Sequence, residues 1–111
     1  VSSSGASRIP IAAGVATLTG ADLDIATAGR GLRVAEGANA KQGLATLVAG
    51  TVVVATTAVT ANSRIQLTVQ ETGVFAGNVR VSARAAGVSF TILSSNAADT
   101  AQVAWEIFEP G

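Results

Sequence analysis

Residues 42–63 read QGLATLVAGTVVVATTAVTANS, the longest uncharged run in the chain, and the fold turns on whether this run crosses a membrane or pairs as strands. A helical span needs about 20 predominantly apolar residues. Thr46, Thr51, Thr56, Thr57 and Thr60, with Gly43, Gly50 and Asn62, break that density, whereas Val52, Val53 and Val54 among the threonines favour a pleated chain. Leu44 to Val48 and Thr51 to Ala55 therefore read as two strands of a hairpin. The Gly of Ala49-Gly50 supplies the positive φ that a two-residue turn demands.

Working outward toward the carboxyl end, a period of two persists. Ile65, Leu67 and Val69 alternate with Gln66, Thr68 and Gln70, and Val79, Val81 and Ala83 alternate with Arg80, Ser82 and Arg84. Ala86-Gly87 turns the chain, Phe90 and Ile92 resume the apolar face, and a loop from Ser94 to Thr100 leads to a last strand, Gln102 to Phe108. Toward the amino end the character changes. Ser2, Ser3, Ser4 and Gly5 form a polar tip, Arg8–Ala12, Val15–Leu18 and Leu32–Val34 are candidate short strands, and Asp22–Ala28 reads as loop between Gly20 and Gly29. The pattern predicts an all-β chain: a β-sandwich or jelly-roll-like barrel of short antiparallel strands over residues 31–111, with residues 1–30 an extended arm or edge segment.

A length of 111 residues allows one domain at most. Seven Lys plus Arg balance seven Asp plus Glu, so no general attraction to nucleic acid or to an anionic membrane is built in. Charged residues make up 13 % of the chain, against about 25 % in ordinary soluble domains, and such a surface favours association. With no His and no Cys, the chain supplies no Ser/His/Asp or Cys/His pair, zinc finger, disulfide or thiolate iron–sulfur site. No enzymatic activity and no cofactor are expected. The chain starts at Val1, consistent with a trimmed initiator Met, and no charged, then apolar, then small-residue signal pattern follows.

Each remaining constellation has a bland reading that outweighs the chemical one. Asp22 and Asp24 form a DxD pair without the further oxygen ligands a calcium loop needs. Gly29-Arg30-Gly31 begins like a dinucleotide fingerprint, but Val34 stands at its third glycine. Glu106 and Glu109, three apart on a strand, point to opposite faces and make a poor acid/base pair. Arg80 and Arg84, four apart, are expected on one face. Without a neighbouring aromatic they make a weak nucleic-acid platform, so pairing with Glu71 or Glu106, across strands or across subunits, is favoured. Trp105 reads first as core, but Ala104 and Phe108 put apolar surface on the second face of its strand. That strand is either central in a sandwich or buried at a subunit contact. Ile9, Ile11, Val15 and Leu18 are too apolar for a free tail. With Arg80, Arg84, Trp105 and Phe108 they are the candidate contacts to other subunits or to a capsid.

The stretch from GLRVAEGANAKQG at Gly31 to Gly43 through VAWEIFEP resembles a β-domain that recurs in tailed-bacteriophage and prophage virion proteins. These include head-decoration (cement) proteins, head fibres and the carboxyl ends of tail fibres. Asn39-Ala40-Lys41, Val59-Thr60-Ala61-Asn62-Ser63-Arg64-Ile65, Ser89-Phe90-Thr91-Ile92, Asp99-Thr100, Val103-Ala104-Trp105 and Glu109-Pro110 carry the likeness, which covers about 80 residues and leaves residues 1 to 30 unmatched. The resemblance implies a structural virion protein, first of all a decoration protein that stabilises a phage head lattice. The alternative is a receptor- or glycan-binding fibre domain. It further implies homotrimers, a major capsid protein or other virion protein as partner, and a place on the virion surface after assembly in the bacterial cytoplasm.

Overall fold

The computed structural model of the chain describes residues 14–111. The chain divides into two units, residues 1–32 and 33–111. In the first, the described residues 14–32 contain no strand: Val15–Leu18 is not one, and the local order is a turn in which the Arg30 amide donates to the Thr27 carbonyl at 3.1 Å. Val15, Leu18, Leu23 and Ile25 are exposed there. Leu32–Val34 is not a strand either, and the candidate strand Arg8–Ala12 lies outside the described residues.

The second unit holds six strands: β1 (Gln42–Thr46), β2 (Thr51–Ala55), β3 (Arg64–Glu71), β4 (Val79–Ala85), β5 (Ser89–Ser94) and β6 (Gln102–Phe108). They form two three-stranded antiparallel sheets, ordered β1-β6-β3 and β2-β5-β4, packed as a sandwich. Central strands β5 and β6 face each other across the core. Phe90 and Ile92 of the first share the core with Val103, Trp105 and Ile107 of the second, and Leu47, Val54 and Val59 complete it. The Trp105 and Phe90 rings meet edge to face, centroids 5.3 Å apart. Each such side chain contributes about 1.5–3 kcal/mol on burial, which is why the period of two persists on these strands.

The hairpin reading of residues 44–55 is corrected. Ala49 and Gly50 do take positive φ, 52° and 77°, and Val48 and Thr51 exchange both backbone hydrogen bonds, so the two-residue turn is real. Its ladder ends at that one bridge, however. β1 pairs β6 and β2 pairs β5, so the turn passes the chain from one sheet to the other. Leu47 accompanies this change: its side chain enters the core and its amide donates to the Ala101 carbonyl at 2.9 Å, holding the end of β1 beside β6. Only the β4–β5 link, turning at Gly87, joins neighbours within one sheet.

Candidate interaction surfaces

Two outer faces and two loop ends are what this sandwich offers to other molecules. The outer face of the β2-β5-β4 sheet carries Thr51, Val53 and Ala55, then Ser89, Thr91 and Leu93, then Arg80, Ala83 and Ala85. Apart from Arg80, these residues are uncharged. The outer face of the β1-β6-β3 sheet is rich in amides: Gln42, Glu106 and Gln66 form one row across it, and Phe108 lies opposite Arg64. On this face a shallow depression of about 400 Å³ lies among Glu36, Gln42, Leu44, Gln70, Ala104 and Glu106. Gln42 is oriented there by donating its Nε2 to the Val34 carbonyl at 2.7 Å.

At one end of the sandwich three loops converge on a buried carboxylate. Asp99 accepts hydrogen bonds from Ser94 Oγ at 2.7 Å, from the Ala101 amide at 2.8 Å and from the Gly77 amide at 2.9 Å, while its carbonyl takes the Gly50 amide at 3.0 Å. The Ser94 hydroxyl first, then the Ala101 and Gly77 amides, hold this carboxyl below its usual range against the opposing effect of burial. Around that hub the loop tips are apolar: Val48 is 71 % exposed, Val74 63 % and Phe75 64 %. Phe75 has a φ of 60°, a left-handed conformation a bulky residue rarely adopts, and the Val74 amide before it is bound by Thr100 Oγ1 at 3.2 Å.

The opposite end is polar and is tied by Glu109, just beyond β6. Its Oε1 accepts from Thr60 Oγ1 at 2.6 Å and its Oε2 accepts from Ser63 Oγ. These two hydroxyls, with smaller contributions from Lys41 and Arg64, hold the Glu109 carboxyl below its usual range despite some desolvation.

Within residues 33–111 the candidate contacts do not form one surface. Trp105 is only 5 % exposed and packs into the core from the central strand β6. Phe108 is exposed on the outer face of the β1-β6-β3 sheet. Arg80 and Arg84 do not share a face: a bulge between Val81 and Ala83 adds one residue, so Arg80 lies opposite outward Leu93 and Arg84 opposite core-facing Phe90. Arg84 Nη1 donates to the Ser63 carbonyl at 2.6 Å rather than to a carboxylate. Val15 and Leu18 are exposed in the first unit, and Ile9 and Ile11 lie outside the described residues. Glu106 faces the depression while Glu109 is bound to hydroxyls at the polar end. Among the described residues no three His, Cys, Asp or Glu side chains gather closely enough to hold a metal.

Against known proteins, the profile described as "K1 capsule-specific polysaccharide lyase, C-terminal domain" matches residues 39–108, from just before β1 to the last residue of β6. The chain belongs to this family. No curated protein sequence matches it. The family match coincides with the sandwich, and the stretches that carry the resemblance occupy defined places in it. Thr60 and Ser63 bind Glu109, and Asp99 is the hub of the apolar end. The Asp99 hub escapes sequence reasoning because a lone acid in a Ser/Asn/Ala loop looks solvated. The available signal is Ser94 and Asn96 just ahead of an Asp-Thr pair that leads into a strand.

Proposed function

We propose that this family member is a non-catalytic structural module of a phage virion protein, carried on a tail fibre or spike directed at capsular polysaccharide and working as a homotrimer. The observation that carries the reading is the family match itself. It covers the whole sandwich and describes a carboxyl-terminal domain of a polysaccharide lyase. The nearly uncharged face of Val53, Ala55, Thr91, Leu93 and Ala83 supports packing against copies of the chain, since desolvating it removes few charges from water. Head decoration is the second reading, favoured by the resemblance to cement proteins, and it uses the same neutral face against a capsid lattice.

Sedimentation tests the oligomer: a trimer that Val53→Asp converts to monomer supports the reading, and a wild-type monomer at high micromolar concentration overturns it. Labelling of intact particles separates the two locations, with signal at the tail tip expected and signal over the head shell turning the reading to decoration.

A further inference from the structure

Within residues 33–111, the polar end of the sandwich collects positive charge that the carboxylates of this unit do not neutralise. Arg64 Nη1 donates to the Asn62 carbonyl at 2.6 Å, and Arg84 Nη1 donates to the Ser63 carbonyl at 2.6 Å and the Thr60 carbonyl at 3.4 Å. Both guanidinium groups are thus pinned, by one nitrogen each, to a single loop that is itself fixed. The Thr60 amide donates to Ser63 Oγ at 2.8 Å and the Asn62 amide to Thr60 Oγ1 at 3.2 Å. Lys41 joins them, close enough to act on Glu109. Glu109 is the one carboxylate of this cluster, and its two oxygens are taken by hydroxyls rather than by the cations. Three cations and one carboxylate leave this end positive in a chain of zero net charge. Of the other carboxylates in the unit, Glu36 and Glu106 face the depression, Glu71 ends β3 and Asp99 is buried at the far end.

A guanidinium held by one nitrogen on a carbonyl keeps its Nε and Nη2 donors in a fixed plane, and that fork matches the two oxygens of a carboxylate. Carbonyl anchors orient the fork without cancelling its charge, whereas a carboxylate anchor would cancel it. All three cationic residues are exposed. We propose that this end binds the carboxylate groups of an acidic polysaccharide, with Arg64 and Arg84 supplying the forks and Lys41 a third charge. The proposal rests on the polysaccharide-directed reading for the saccharide, while the charge and geometry require only the carboxylate.

Titration of the full chain with oligogalacturonate, followed calorimetrically and by amide chemical shifts, tests it. Binding is expected at low salt and should vanish near 1 M, where the screening length is about 3 Å. Lys41→Gln and Arg64→Gln should each weaken it about tenfold with an unchanged melting midpoint, while Arg80→Gln, opposite Leu93 on the outer face of the β2-β5-β4 sheet, leaves it intact. Arg84→Lys, which keeps the charge and loses the fork, should weaken it as well. Equal binding of neutral maltohexaose, or tighter binding of inorganic phosphate or a single-stranded oligonucleotide, overturns the proposal, as does undiminished binding by the Arg64 variant. A trimer that binds no uronate overturns this site alone. A monomer that binds it overturns the oligomeric reading alone.

Discussion

Gly43 stands opposite Trp105 in the β1–β6 ladder, and a Cβ built on it would lie 2.8 Å from the indole Cζ2 and 3.2 Å from Nε1. The absent side chain is what lets the indole lie flat beneath β1. Gly43→Ala must therefore push the ring from its edge-to-face contact with Phe90. The expected loss is about 1–3 kcal/mol in denaturant unfolding, with a shift in Trp emission in the folded state. The two lowered carboxyls give a pH prediction of definite sign. Asp99 and Glu109 both titrate lower folded than unfolded, so their contribution is complete above the ordinary carboxylate range and is lost as pH falls through their folded values. Thermal midpoints should hold from neutral pH to about 5 and drop below about 4. Glu109→Gln should flatten part of that drop, and a midpoint that rises on acidification would contradict the assignment.

At the scale of the element, the bulge in β4 is the feature whose removal should say most. Deleting Ser82 removes the extra residue and the bend it gives β4 while Arg84 stays opposite Phe90, so the reach of its guanidinium to the Ser63 carbonyl must adjust to a straightened strand. The variant is expected to melt lower than a Ser82→Ala control, which keeps the residue count. Equal melting of the two would mean the bulge has no such role. This element also marks the limit of what the sequence discloses. The alternation of apolar residues with Gln, Thr and Ser identifies β3 to β6, and the bounds of the last strand are readable to the residue, because half-buried strands write their burial directly into the order of side chains. Pairing is not written that way. Ala49-Gly50 has the turn chemistry of a hairpin, but Leu47 bonds to Ala101, over fifty positions away, and no local rule sees it. The bulge at Ser82 is equally silent, since neither Gly nor Pro marks it. Of the candidate contacts, the apolar strand of Trp105 shows that it is buried but leaves core and subunit contact open, whereas the carbonyl anchoring of Arg84 depends on a loop some twenty residues earlier.

For the whole molecule, the sheet ladders and the core lie within residues 33–111. A chain beginning at Arg33 is accordingly expected to unfold in one cooperative transition with the denaturant slope scaled to its own buried surface. A broad or multi-step transition would show that residues 1–32 are needed by the fold. If the exposed Val15, Leu18, Leu23 and Ile25 serve an arm that docks on a neighbour, the same truncation lowers the sedimentation coefficient of the oligomer without lowering the melting point of the sandwich.

The central place of β6 has a bearing on how the protein comes into being. Its neighbours β1 and β3 leave the ribosome first, yet neither pairs with the other, so both wait as unpaired edges until the strand that separates them has been synthesised. Partial sandwiches are therefore barred during translation, and the domain must fold in one late event, over the milliseconds to seconds characteristic of such long-range β pairing. Nascent chains arrested at increasing lengths should exert pulling force only after Phe108 clears the exit tunnel. Force appearing once β5 alone has emerged would show that the β2-β5-β4 sheet can stand by itself. Until that moment the valine-rich run at residues 51–54 is exposed, which makes the rate of elongation through the last strand a determinant of yield, since any stall there lengthens the window for aggregation.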